Sequence, residues 1–170
     1  IPITLAFLVS TSALAQRASI GVVLDVGGPK DRSFNQAALA GVKRAEKELG
    51  IKVDVFETKV NTDRARGVNF FAEQKKSLVV ALGFSFTDAI NKAAQQFPKT
   101  KFAVVDALPT GENTAGLNFR EQEGSFLVGY IAGTQSSTGI VGFVGGMDSP
   151  LIHKFDAGFT AGVKLACPNC

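Results

Sequence analysis

The sequence predicts an α/β protein built on a parallel sheet. Short apolar runs alternate with longer segments whose apolar residues recur at helical spacing. Two of the runs, at 18–25 and 77–83, are almost continuously apolar, which is typical of strands buried on both faces of a parallel sheet. The segments between the runs have the length of a helix, and parallel strands need such crossovers.

The first half of the chain gives clear signals for each element. After the strand at 18–25, residues 36–50 have apolar side chains at helical spacing, lysines near the end and Gly50 as a stop. Residues 52–57 alternate like a strand, and 62–76 are helical before the second buried strand. A helix at 87–97 follows that second strand.

The second half continues the alternation. An apolar strand is predicted at 101–107 and a short one at 114–119. The helix at 120–135 contains three glycines, which indicates close backbone packing. A further strand at 139–146 and a further helix at 150–166 complete the pattern.

Composition and charge narrow the class of protein. The chain has 170 residues, of which 45% are hydrophobic, enough for one buried domain or for one domain and part of another. The formal net charge of +3 comes from 18 basic and 15 acidic residues that are scattered together. No basic block exceeds the pairs Lys43-Arg44 and Lys75-Lys76, so a nucleic-acid partner is not expected.

The first residues predict a secretory signal peptide. Residues 1–15 carry no charge, and Ala13-Leu14-Ala15 fits a signal-peptidase site with Gln16 as the first mature residue. The stretch lacks an initiator Met and a basic region, and the alternative of a membrane anchor is disfavoured because the run is too short to span a bilayer. No Cys follows the cleavage site, so we expect an exported, soluble periplasmic protein without an N-terminal lipid.

The two cysteines lie in the final CPNC, as Cys167 and Cys170. A zinc site would need two more ligands, and the sole histidine, His153, is interpreted as an exposed helix residue. In an exported protein a local structural disulfide is the favoured interpretation. We therefore expect no metal site and no cofactor.

Three strand ends predict a ligand site, because ligands of parallel sheets bind beyond the carboxyl ends of the strands. These ends are 25–35, 83–86 and Asp106, which are far apart in sequence. The spacing of a dinucleotide fold or a P-loop is absent from the first of them. Acids at two of the ends would repel a phosphate, so a phosphate ligand is rejected.

The residue types at these ends favour a nucleoside. The carboxylates of Asp25 and Asp106 suit vicinal hydroxyls, since each can accept two hydrogen bonds. Phe34 offers an aromatic face, and Asn35 offers an amide that both donates and accepts. Stacking of a base on an aromatic side chain contributes about 1–3 kcal/mol. An acid, an aromatic and an amide together describe a nucleoside better than a bare sugar.

Several residues at these strand ends also have a structural interpretation, but Asp25 and Asp106 are harder to explain in that way, because an acid at the end of a buried strand needs a partner. Ser33 and Gln36 form a capping-box pattern, and Asp31 is a second candidate for the cap of the same helix; capping is taken as the main role of Ser33 and Asp31. Phe34 is equally well explained as a hydrophobic staple. Phe84 and Phe86 flank the second strand end, where we expect one to line the pocket and the other to join the core.

Four stretches together resemble the basic-membrane-protein family of ABC-transporter substrate-binding proteins, including its PnrA-like purine-nucleoside binders. They are GGPKDRSFNQAALAGVKRA, FAVVDA, GLNFREQEGSFLVGYIAG and VGFVGGMDSPLIHKFDAGFTAGVK. The resemblance implies a type I periplasmic-binding-protein fold with two α/β lobes. It matches Phe34 and Asn35 to the family's ligand-contacting aromatic and amide, and Asp25 and Asp106 to its strand-end acids.

The resemblance implies a non-enzymatic receptor that delivers a nucleoside to an ABC permease and meets the membrane only through that transporter. We predict an N-terminal lobe at 16–136 and the start of a second lobe at 137–170, with ligand contacts by Asp25, Phe34, Asn35, Phe84 and Asp106. Another ligand, such as a sugar or a flavin, remains open. A nucleoside hydrolase using the two acids and a regulatory sensor of the same fold are the remaining alternatives.

Overall fold

The computed structural model describes residues 18–170, so the predicted signal peptide at 1–15 lies outside the described residues. The described chain contains five strands and five α-helices. The strands are β1 (Ser19–Leu24), β2 (Lys52–Glu57), β3 (Leu78–Leu82), β4 (Lys101–Val105) and β5 (Thr114–Leu117). The helices are α1 (Phe34–Leu49), α2 (Asp63–Glu73), α3 (Thr87–Gln96), α4 (Glu121–Gln135) and α5 (Pro150–Ala166).

The five strands form one sheet in the order β2-β1-β3-β4-β5, and every neighbouring pair is parallel. The predicted α/β class with a parallel sheet is therefore confirmed. Because β1 lies between β2 and β3, the chain passes first to one side of β1 and then continues outward on the other side through β3, β4 and β5. The point where the winding reverses is where ligands of open α/β sheets bind.

The two faces of the sheet bury different sets of side chains. One face packs against α2 and α3 around Phe71, Phe86 and Phe102, each at most 2% exposed. The other face packs against α1 through a smaller cluster that includes Leu24 and Leu82. Burial of one such side chain stabilises the fold by about 1.5–3 kcal/mol. The two clusters therefore determine which face of the sheet each helix covers.

Helices α4 and α5 pack mainly on each other. Methyl groups at Gly129, Gly158 or Gly162 would overlap the backbone of the facing helix, so these glycines let the two helices come into close contact. The predicted close packing of the glycine-containing helix is thus confirmed. The packing groups α4 with α5 more than with the sheet, and the predicted lobe boundary after residue 136 stays a prediction.

The predicted strand at 139–146 is wrong. This stretch has no regular secondary structure, and Ile140 and Val144 are 81% and 97% exposed. Its only aromatic, Phe143, lies 5.6 Å from the Phe159 ring on α5. A strand needs a neighbour to pair its backbone N–H and C=O groups, and within residues 18–170 none lies beside this stretch.

Candidate functional site

The register of the sheet places three predicted strand ends at one level. Val23 pairs with Ala81, and Leu82 pairs with Val105. Continued past the ends of the strands, this register places Asp25 opposite Gly83 and Gly83 opposite Asp106. Neighbouring strands lie about 4.8 Å apart, which puts the two acidic strand ends about 10 Å from each other across Gly83. The structure therefore brings these ends to one edge of the sheet, as the topology predicted.

The loop after β1 is held by the side chain of Asn35, which is 1% exposed. Its Oδ1 accepts a hydrogen bond from the backbone N–H of Asp25 at 3.0 Å. Its Nδ2 donates to the carbonyls of Asp25 and Gly28, at 3.0 and 3.2 Å. Both amide hydrogens are thus used inside the loop, and the predicted ligand contact of Asn35, which stays a prediction, would require one of these bonds to open.

Asp31 caps the helix that follows the loop. Its carboxylate accepts hydrogen bonds from the backbone N–H groups of Ser33, Asn35 and Gln36, at 2.9–3.1 Å. These donors, the Ser33 N–H first, hold the pKa of Asp31 below its ordinary value. The predicted cap by Asp31 is confirmed, whereas the predicted capping box is wrong because the Ser33 side chain makes no capping hydrogen bond.

Asp25 forms an ion pair that the sequence did not indicate. Its Oδ1 accepts hydrogen bonds from the Val26 N–H and from Nε of Arg64 on α2, both at 2.8 Å. The Asp25 and Arg64 side chains are 23% and 19% exposed. Arg64 also lies over the ring of Phe86, with Cζ 5.8 Å from its centroid. The partner that an acid at the end of a buried strand requires is therefore this guanidinium.

The other carboxylate oxygen of Asp25 lies beside Phe34 and Gly83. A methyl group at Gly83 would be 3.3 Å from Asp25 Oδ2 and 3.8 Å from Phe34 Cε1. Phe34 is 39% exposed, so it is not the fully buried staple that was one of its two interpretations. The glycine leaves a shallow recess between an acceptor oxygen and an aromatic ring.

The two phenylalanines after β3 separate as expected. Phe86 is fully buried in the core beneath α2 and α3, and Phe84 is half-buried at the rim of the sheet. Thr87 fixes the turn between them, since its hydroxyl donates to the Phe84 carbonyl at 2.6 Å. The prediction that one of the pair joins the core is confirmed for Phe86, and a ligand contact by Phe84 stays a prediction.

Asp106 faces two charged side chains from α4 and α5. Burial, and then the nearby Glu121 carboxylate, raise the pKa of Asp106 above its ordinary value, while Lys154 acts in the opposite direction. Nζ of Lys154 lies 3.3 Å from Oε2 of Glu121. Burial favours protonated Glu121, but its own backbone N–H and the bond from Lys154 outweigh burial and lower its pKa.

Three charged residues at this edge were missed by sequence reasoning: Arg64, Glu121 and Lys154. Each lies in the first or second turn of a helix. In a parallel α/β unit the first turn of a helix meets the carboxyl ends of the strands, so extending the strand-end rule to α2 and α4 would have placed Arg64 and Glu121 at this edge without identifying their partners. Lys154 lies on α5, which follows no strand of the sheet, and no such signal indicates it.

Outside this edge, two predictions are confirmed. His153 is an exposed helix residue, and its Nε2 lies 2.7 Å from Asp148. Cys167 and Cys170 form the predicted local disulfide at the end of α5. Within residues 18–170 no three metal-ligating side chains are grouped to hold an ion, and no helix is both long and apolar enough to span a membrane.

Strand ends at one edge of a parallel sheet are the place where α/β proteins bind small molecules, and comparison with known proteins identifies the family. The family model described as "ABC transporter substrate-binding protein PnrA-like" matches residues 18–170. An uncharacterized lipoprotein of Pyrococcus furiosus is 38% identical over 161 residues, covering 91% of this chain and 40% of the relative. The chain belongs to the PnrA-like family of ABC transporter substrate-binding proteins, also known as basic membrane proteins.

Solved structures agree with this family. An ABC transporter solute-binding protein from Aeropyrum pernix K1 is 33% identical with a TM-score of 0.77, covering 87% of this chain and 43% of that one. A glucose-galactose binding protein from Geobacillus stearothermophilus shares the fold alone, at 20% identity and a TM-score of 0.65, covering 89% and 55%. The chain spans less than half the length of the curated relatives it matches.

Proposed function

We propose that this chain supplies the first lobe of an exported receptor that binds a purine nucleoside and presents it to an ABC permease. The observation that carries the proposal is the arrangement of Asp25, Phe34 and Asp106 at one edge of the sheet. There Phe34 is 39% exposed beside an acceptor oxygen of Asp25. An exposed ring beside one acid, with a second acid at the same edge of the sheet, fits a heterocycle that carries vicinal hydroxyls.

The roles follow from which atoms remain free. Phe34 stacks on the base, and half-buried Phe84 lines the apolar side. Oδ2 of Asp25 accepts a hydrogen bond from the ligand because Oδ1 is already bound by Val26 and Arg64. Asp106 accepts from a ribose hydroxyl on the opposite side of Gly83. Asn35 contributes by holding the loop.

A sugar is the second candidate ligand. The fold is shared with a protein whose name states that it binds glucose and galactose. Two acids about 10 Å apart, on strand ends on either side of β3, suit a pyranose as well as a ribose. The exposed Phe34 favours the nucleoside, because a flat base stacks on an aromatic ring.

We further propose that α4 and α5 belong to the second lobe. Their glycine-mediated contact is extensive, whereas the sheet ends at β5. The connection between the lobes is then 118–120, next to the strand that carries Asp106. Closure of the lobes on a ligand would be transmitted to the permease through this connection.

The test is a calorimetric screen on the complete protein that contains this sequence. The panel is purine nucleosides, pyrimidine nucleosides, free bases, ribose, glucose and riboflavin. We expect purine nucleosides to bind most tightly. Binding of a sugar or of riboflavin alone would refute the nucleoside assignment while leaving the receptor role.

Two variants test the site itself. Phe34→Ala should weaken nucleoside binding about 5- to 150-fold, which corresponds to the loss of about 1–3 kcal/mol of stacking. Phe70→Ala is the matched control, because Phe70 is similarly exposed, at 45%, but lies on α2 against Phe56 and Phe71. Equal affinity of wild type and Phe34→Ala would refute the site.

A receptor also differs from the hydrolase alternative by its products. Chromatography of the complete protein incubated with a bound nucleoside should show the ligand intact. Release of the free base at a rate above the background of an Asp25→Asn variant would instead identify an enzyme.

A further inference from the structure

We propose that Arg64 is a positioning and specificity-determining residue: it orients the Asp25 carboxylate, cancels its charge, and so makes the site select a neutral ligand over a cationic one. The inference rests on the proposed function of this edge of the sheet. Arg64 itself reaches it from α2, 39 residues along the chain from its partner.

The orientation follows from how Oδ1 of Asp25 is held. It accepts from Arg64 Nε and from the Val26 N–H, both at 2.8 Å, and two charge-assisted or backbone donors on one oxygen fix the plane of the carboxylate. Oδ2 then lies toward the recess at Gly83, 3.3 Å from where a methyl group would be. A carboxylate without Arg64 would rotate about its last bond and present either oxygen.

The position of Arg64 is fixed in turn by the core. Its guanidinium carbon lies 5.8 Å from the ring centroid of Phe86, which is fully buried. A guanidinium over an aromatic face gains a cation–π attraction, and a planar group held there loses little entropy when it binds a carboxylate. The buried Phe86 ring therefore holds the guanidinium in the position where it pairs with Asp25.

Charge selection follows from the same pair. A free carboxylate in a cleft attracts cations, but this one is neutralised by a guanidinium in direct contact. What remains for a ligand is an acceptor oxygen suited to a hydroxyl or a ring N–H. Removal of Arg64 would leave an additional uncompensated negative charge, which favours a ligand that carries an amine.

Binding measurements on the complete protein test this. Arg64→Met keeps an unbranched apolar stem over Phe86, and we expect about tenfold weaker binding of a neutral purine nucleoside. An amino-sugar analogue of the same nucleoside should lose less affinity than its neutral parent. Arg64→Lys should recover part of the neutral-ligand affinity, because it restores the charge without the planar fork.

Arg66→Met is the matched control. Arg66 lies on the same helix, pairs with Asp63 at 3.0 Å and stacks over Phe56 at 5.6 Å, but away from the strand ends. Arg66→Met should leave the affinity for both ligands unchanged. The double variant Arg64→Met with Asp25→Asn should bind no more weakly than Asp25→Asn alone. Additive losses would show that Arg64 contacts the ligand itself and would overturn the positioning role.

A ligand-free measurement keeps the inference separate from the proposed function. In ¹H–¹⁵N spectra the Nε–H signal of Arg64 should shift in Asp25→Asn and stay in place in Asp54→Asn, because Asp54 lies on β2 and pairs with Lys76. An unchanged signal in Asp25→Asn overturns the inference whatever the ligand. Failure of the wild-type protein to bind any nucleoside, with the signal shifted as expected, refutes the nucleoside and leaves the ion pair in place; charge selection is then measured with the neutral ligand that the screen identifies and its amino analogue.

Discussion

Replacement of Asn35 by alanine tests the loop on which the candidate site depends. The side chain makes three hydrogen bonds within the loop, at 3.0, 3.0 and 3.2 Å, and is 1% exposed. At about 1 kcal/mol for each bond, Asn35→Ala should cost about 3 kcal/mol. For a cooperatively unfolding unit of about 150–250 residues, that is a fall in melting temperature of roughly 6–12 °C. Thermal and urea unfolding of the complete protein measure it.

The chain offers a matched control at the opposite end of the sheet. The amide of Asn113 also donates to three backbone carbonyls, those of Ala94, Phe97 and Thr100, at 3.3, 3.2 and 2.7 Å. Asn113→Ala should destabilise the protein comparably and leave ligand affinity intact, whereas Asn35→Ala should lower both. A melting temperature of Asn35→Ala within 2 °C of wild type would refute the role of Asn35 in the loop. Equal loss of affinity in both variants would refute the local role in binding.

Three further predictions test packing and charge by thermal unfolding. Gly158→Ala should destabilise by about 1–3 kcal/mol because the methyl group overlaps the Gln122 carbonyl of the facing helix, whereas Gly124→Ala, with no atom within 4 Å, should be neutral or stabilising; equal melting temperatures would contradict the close contact. Asp106→Asn should raise stability at neutral pH, because burial raises the pKa of this acid and its charge is unfavourable in the folded state. The gain should vanish as the pH falls below the ordinary pKa of about 3.8. A gain that persists below that pH would contradict the assignment. Backbone donors lower the pKa of Asp31, so its carboxylate stabilises the folded state above pH 3.8 and loses that contribution as the pH falls through the folded-state pKa. Asp31→Ala should therefore make the melting temperature less dependent on pH in this acidic range. An unchanged pH dependence would contradict the cap.

The strands and helices up to residue 117 could be predicted from the sequence to within about three residues, because the periodicity of apolar residues reports burial directly. The stretch 139–146 shows the limit of that signal. Its apolar run predicts a strand, but a strand exists only where another one pairs with it, and residues 18–170 provide none. The same limit applies to α4, whose glycines predict a close neighbour without saying which element it is.

For the site as for the fold, some features follow from the sequence pattern and the topology, and others depend on contacts between residues far apart in the chain. Asp25 and Asp106 could be placed at one edge because topology alone aligns parallel strand ends. The Arg64 partner of Asp25 could not, since an ion pair between residues 39 apart leaves no local pattern. Nor does the sequence say which way Asn35 faces, because the same amide at the start of a helix suits either a ligand or the preceding loop.

Some side chains of the loop after β1 hold its backbone in place, and others remain available to a ligand. Asn35 and Asp31 are committed to the backbone, and Gly27 and Gly28 adopt φ of 122° and 74°, which side chains rarely tolerate. Phe34 and Oδ2 of Asp25 remain available at the surface of this fixed frame. A ligand that binds there need not order the loop, so little of the interaction free energy is lost to conformational entropy. A receptor that must bind from dilute solution and close around its ligand gains affinity from such an arrangement, and the Asn35→Ala variant separates this contribution from stacking on Phe34.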